Sequence, residues 1–266
     1  VGVEVWGIFL GLGAVAGTLA GLLGVGGGLV IVPVLALVFR HGGFDPAIIM
    51  HLAIGTSLAT IVFTSISSVR AHHRRGAVLW SLVWRLAPGI VLGALLGAAL
   101  ADAMQSLWLS RLFGGFELLV ALQMALGLRP APHRGLPGAA GMLGAGGVIG
   151  TVSAIVGIGG GTLTVPFLSW CNVQMRNAVA TSSACGLPIA VAGALGFVLT
   201  GLGTPGLPAW STGYVYWPAF LGIVIASVAF APLGAALAHR LPAAGLKRVF
   251  AVLLAVIGMR FLLGLM

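Results

Sequence analysis

The apolar run from Val3 to Phe39 is broken near its middle by Gly24-Val25-Gly26-Gly27-Gly28, and Pro33 follows five residues later. The second half repeats the pattern. Gly17-Thr18, the glycine cluster and Val32-Pro33-Val34-Leu35 return as Gly150-Thr151, Gly157-Ile158-Gly159-Gly160-Gly161 and Val165-Pro166-Phe167-Leu168. Glycine is costly in a helix interior and adopts backbone angles that other residues avoid, so four glycines in five positions predict a break. Wound as one helix, Val3–Phe39 would be about 55 Å long, against a bilayer core of about 30 Å. A hairpin bent back at GxGGG, either re-entrant or two full spans, fits that length. Such backbone is tolerated at membrane depth only where protein or a water-filled cavity satisfies it. Paired broken helices in two halves mark the binding site of many transporters. The competing reading is that the glycines only let helices pack closely.

Hydrophobic residues make up 59% of the chain and charged residues 6%, which predicts an all-α polytopic membrane protein embedded in the lipid bilayer. The net charge of +9 sits in short loops, where it reads as a membrane-orientation signal and not as a nucleic-acid surface. The N-terminus is expected to carry no removable signal peptide. Cys171 and Cys185 form no CxxC or Cys/His cluster, so no disulfide, metal or cofactor is expected.

Each half reads as a broken element followed by three helices. The broken element at about 3–39 precedes helices near 48–69, 77–101 and 107–127. The second, near 139–171, precedes helices near 177–200, 212–238 and 244–265. Residues 1–127 and 139–266 are the two transmembrane repeats, joined by a cytoplasmic linker at 128–138. Ala53-Ile54-Gly55-Thr56-Ser57 matches Ala178-Val179-Ala180-Thr181-Ser182, and Leu96–Ala101 recurs as Leu233–Ala238. If each broken element returns to its starting side, each half crosses an odd number of times and the halves are inverted. Arg70, Arg74, Arg75, Arg85, Arg129, Arg134, Arg176, Arg240, Lys247 and Arg248 then share one face, leaving Arg40, Arg111 and Arg260 on the other. That ten-to-three split obeys the positive-inside rule; the parallel arrangement gives an even one.

The GLLGVGGGxxxVPxL pattern, its repeat as VGIGGGxxxVPFL, and the two Ala-x-x-Thr-Ser elements resemble the sulfite exporter TauE/SafE family, also called toluene sulfonate uptake permeases. The resemblance spans essentially the whole chain. It implies a permease of the bacterial cytoplasmic membrane for sulfite, a sulfonate or a related organosulfur anion.

A half-helix starting at GxGGG presents unpaired N–H groups and the positive end of its dipole, a common anion cradle. Gly26, Gly27, Gly28, Gly159, Gly160 and Gly161 are therefore the expected backbone ligands. Thr56, Ser57, Thr162, Thr181 and Ser182 are the expected hydroxyl donors, set against the competing reading that such hydroxyls bond their own helix. Glu117, an acid deep in an apolar helix, is the candidate for ion coupling; its counterpart is Leu254. His51 and Arg176 hold matching positions where they could draw anions toward a vestibule or anchor the topology. The expected mechanism is export by alternating access. Proton- or sodium-coupled uptake and an anion channel are the alternatives, and a homo-oligomer is compatible with either. An enzyme is not expected: GIGGGTLT lacks the Lys and Ser/Thr of a phosphate loop, and HExxH is absent.

Overall fold

The computed structural model describes residues 3–23, 27–127, 135–237 and 243–264. These contain ten helices: α1 (Val3–Leu23), α2 (Gly28–His41), α3 (Ile49–Arg74), α4 (Trp80–Asp102), α5 (Ser106–Ala125), α6 (Ala139–Val156), α7 (Gly161–Trp170), α8 (Met175–Gly201), α9 (Trp217–Leu237) and α10 (Ala243–Leu262). Both GxGGG clusters interrupt helices, α1 from α2 and α6 from α7. The helix expected near 212–238 starts late. Its first residues form instead a small hairpin, β1 (Ser211–Thr212) paired with β2 (Val215–Tyr216). The apolar Tyr214-Val215-Tyr216 run reads as helix by composition, but Gly213 at φ +53 turns the chain there. Most of the linker, residues 128–134, lies outside the described residues.

The first broken element folds back on itself. Phe9 of α1 and Phe39 of α2 both pack on the Tyr216 ring, at centroid distances of 6.5 and 5.6 Å. An uninterrupted helix would hold those two phenylalanines about 45 Å apart.

Helices of one half pack on helices of the other through glycines. Gly13 and Gly17 of α1 lie against the backbone of Ile223 and Ser227 in α9. Gly146 and Gly150 of α6 lie against the backbone of Leu86 and Ile90 in α4. These residues occupy matching repeat positions, so the same close crossing is built twice. In each, a missing Cβ lets backbone approach backbone, the main source of cohesion between helices in lipid. Equivalent helices also meet. Gly55, Leu58 and Ser65 of α3 touch Phe197, Gly193 and Gly186 of α8 in that order, so the two run antiparallel. Phe113 of α5 packs against Phe261 of α10, ring centroids 5.1 Å apart, while Leu118 reaches Gly258. That pair is antiparallel too.

Five helices among the described residues, α3, α4, α5, α6 and α8, are long and apolar enough to cross a membrane. Large apolar side chains including Leu92, Leu119, Val148, Leu199, Ile225 and Val252 are exposed on the outside of the bundle. A soluble protein would not leave so many uncovered; here they face lipid. Six of the seven tryptophans are exposed as well, as membrane anchors are.

Candidate functional site

The two GxGGG breaks touch each other. A Cβ on Gly28, the first residue of α2, would strike the carbonyl oxygen of Gly157 and come within 2.9 Å of the Ile158 Cα. On the second tip, Gly157 closes α6 in the left-handed conformation at φ +72. Its N–H donates to Ala154 and the next N–H, of Ile158, donates to Ser153 at 3.0 Å. This is the usual way a glycine ends a helix. Gly160 then caps α7, and the N–H of Thr164 donates to its carbonyl at 2.9 Å.

Both Thr-Ser elements grip this second tip. Ser57 Oγ of α3 donates to the Gly157 carbonyl at 2.9 Å. From α8, the Ser182 carbonyl lies where a Gly160 Cβ would be, 2.7 Å away, with the Gly186 amide nitrogen at 3.0 Å. Gly27, Gly28, Ser57, Gly159, Gly160, Gly161 and Ser182 are thus brought to one region between α3 and α8; Gly26 lies outside the described residues. The side-chain-free faces of Gly28 and Gly160 are filled by backbone of other elements and leave no approach for a ligand there. Of the N–H groups in the first turns of α2 and α7, those of Val30, Ile31 and Thr164 donate to the Gly27 and Gly160 carbonyls; those ahead of them have no acceptor within their own helix.

The hydroxyls divide into two sets. Thr56 Oγ1 accepts from the Tyr216 N–H at 3.0 Å, and Thr181 Oγ1 accepts from the Leu79 N–H, also at 3.0 Å. Ser182 Oγ donates to the Val179 carbonyl of its own helix at 2.8 Å. In contrast, Thr162 and Thr164 on the first turn of α7 and Ser153 one turn before the break are buried, and none of their hydroxyls has a hydrogen-bond partner. Their counterparts in the first half are Leu29, Ile31 and Ala20. Among the described residues around the two breaks, the unpaired hydroxyls therefore lie at the second tip. Ser153 escaped the sequence reading because a lone serine in an apolar helix usually bonds its own backbone.

The remaining candidates lie elsewhere. Glu117 is fully buried on α5, its Cβ close to Gly258 of α10, and neither carboxylate oxygen has a partner. His51 Nε2 lies 3.0 and 3.1 Å from the carbonyl oxygens of Ala101 and Met104, an imidazole capping the end of α4. Arg176 donates to the Arg75 carbonyl at 3.3 Å. Both residues tie loops to the bundle.

The family profile for the sulfite exporter TauE/SafE matches residues 9–261. The chain belongs to the sulfite exporter TauE/SafE family. Among its relatives, a "probable membrane transporter protein" of Haemophilus influenzae is 36% identical over 95% of this chain and 96% of its own. A similarly named protein of Methanocaldococcus jannaschii is 27% identical over 95% and 93%, and one of Bacillus subtilis is 27% identical over 94% and 95%. No solved structure matches the chain. As a TauE/SafE protein, the chain is a multi-pass membrane transporter.

Proposed function

We propose that the protein exports a small sulfur oxyanion or sulfonate across the bacterial cytoplasmic membrane by alternating access, with the anion held where the two GxGGG tips meet. The observation that carries this reading is the tip junction. There the N-terminus of α7 carries the buried, unpartnered hydroxyls of Thr162 and Thr164. The half-helix dipole favours an anion. Neutral donors hold it without the deep well that a buried arginine would make, so it can leave again. Gly27, Gly28, Gly159, Gly160 and Gly161 contribute backbone to the junction, and Ser57 and Ser182 hold the second tip in place.

Alternating access of this kind is natural for inverted repeats. The antiparallel pairing of α3 with α8 and of α5 with α10 supports that arrangement, as do the folded-back first element and the ten-to-three charge split. Single cysteines at Gly76 and at Ala243, in a chain lacking Cys171 and Cys185, should be labelled by an impermeant maleimide from the cytoplasmic face. A cysteine at Gly203 should be labelled from the opposite face. Labelling of Gly76 and Gly203 from the same side would refute the inverted arrangement.

Purified protein titrated with sulfite, sulfate, thiosulfate and several sulfonates should bind at least one of them. Thr162→Val and Thr164→Val should each weaken that binding about tenfold or more, since a hydrogen bond to a charged group contributes roughly 1.5–3 kcal/mol. Failure of the whole panel to bind would rule out the substrate class. A second reading, proton- or sodium-coupled uptake, draws on the buried and unpartnered Glu117.

A further inference from the structure

Two short loops enter the bundle at matching points. Gly76-Ala77-Val78-Leu79-Trp80 leads into α4 and Gly213-Tyr214-Val215-Tyr216-Trp217 leads into α9, a repeated G-x-V-x-W pattern. Both glycines are left-handed, at φ +63 and +53, so each loop makes the same sharp turn. Behind the glycines, Ala77 and Val78 are buried on one side, and Tyr214, Val215 and Tyr216 on the other. Non-helical backbone buried in a membrane bundle must find partners within the protein. In both loops, the N–H of the residue just before the tryptophan finds the threonine of the opposite half. Leu79 donates to Thr181 and Tyr216 to Thr56, each at 3.0 Å.

The aromatic loop closes the end of the bundle where α1, α2, α3 and α8 converge. Tyr216 packs on Phe9, Phe39 and Phe44. The Tyr214 carbonyl sits against Gly55, where a Cβ would displace it. The Tyr214 hydroxyl donates to Asp102 Oδ1 at 2.9 Å, and burial pushes that phenol's pKa up, keeping it the donor. The aliphatic loop is held by Thr181 and, beside it, by the Arg176 guanidinium on the Arg75 carbonyl.

We propose that the two G-x-V-x-W loops are the gates of the transporter on its opposite faces, with Thr56 and Thr181 as their latches. This rests on the permease reading and on the inverted arrangement. Under it, Thr56 and Thr181 act on access and not as ligands of the anion. Each loop is a short non-helical segment of one half, tied at its innermost point to the other half by a hydrogen bond to a side chain. Such a seam can open while the close-packed helix crossings stay intact. Both latches are made at once here, which closes the tip junction from both faces. Releasing the Thr56 latch opens the outer face, and releasing the Thr181 latch opens the cytoplasmic one.

The test uses a single reporter, Thr162→Cys, in the full chain lacking Cys171 and Cys185. Labelling by a negatively charged, membrane-impermeant methanethiosulfonate is timed in right-side-out and inside-out vesicles. Adding Thr56→Val should speed labelling about five- to tenfold from the outer face only, the shift expected on losing one hydrogen bond. Adding Thr181→Val should do so from the cytoplasmic face only. Thr56→Ser and Thr181→Ser, which keep the acceptor, should label as slowly as the parent. Leu79→Pro removes the donor and leaves the threonine untouched, at a residue whose φ of −88 lies near the proline range. It should reproduce the Thr181→Val pattern even if that variant is lost from the membrane. Unchanged rates in the two valine variants and in Leu79→Pro would overturn the latches, as would fast labelling of the parent. Acceleration of both valine variants from one and the same face would instead overturn the inverted arrangement on which the proposal rests.

Discussion

Gly28→Ala and Gly160→Ala should each cut transport by at least about tenfold, although each adds a single methyl group. The reason is what that methyl meets. At Gly28 it would meet the carbonyl of Gly157 and the Cα of Ile158; at Gly160 it would meet the Ser182 carbonyl at 2.7 Å and the Gly186 amide at 3.0 Å. All of these are backbone atoms of other elements, which cannot rotate aside as a side chain can. Overpacking a tight interior costs about 1–3 kcal/mol even when side chains share the strain, and here the strain falls on the junction itself. Gly27→Ala is the milder case, because its nearest neighbour is the flexible end of Ile31 at 3.0 Å. Gly115→Ala, with nothing within 4 Å, should be neutral. Flux in liposomes and melting temperature in detergent should therefore rank the four variants in that order. Wild-type flux and an unchanged melting temperature in Gly28→Ala and Gly160→Ala would mean that the tips are loosely packed and that the junction is not the working part.

Anion flux in liposomes containing only this protein should follow an imposed K⁺/valinomycin potential, with no Na⁺ or pH gradient. A monovalent anion leaving an inside-negative cell gains about 2.3 kcal/mol per 100 mV, a ratio of roughly fiftyfold at equilibrium. Export therefore needs no coupling ion, whereas uptake must overcome the same energy. Glu117 is the one carboxylate among the described residues that is buried without a partner, and its repeat counterpart Leu254 cannot take up a proton. An unpaired charge so deep in the bundle is costly, and a neutral carboxyl is close in shape to an amide. Glu117→Gln should accordingly retain most of the potential-driven flux. Complete loss in that variant, together with strict dependence on a Na⁺ or pH gradient, would establish coupled uptake centred on this residue.

Much of the architecture follows from local properties that a chain carries wherever it is placed. Glycine clusters break helices, so the α1–α2 and α6–α7 interruptions were legible, as were three further helices per half. Short-loop arginines weigh on orientation one by one, so their totals already favoured inverted halves. The repeated Thr-Ser pairs were visible too, and the region in which they meet the tips is where Ser57 and Ser182 hold Gly157 and Gly160. Other features depend on which distant atoms come to face each other. Nothing local in Thr56 or Thr181 says that its oxygen will accept a backbone N–H from a loop 160 or 102 residues away. Nor does anything local say that the hydroxyls of Thr162 and Thr164 will be buried with no partner. Gly28 and Gly160 looked like clearings for an anion, since an absent side chain reads the same whether ligand or protein fills the space. Only tertiary packing, of one half on the other at Gly28 and of α7 on α8 at Gly160, decided that backbone fills it.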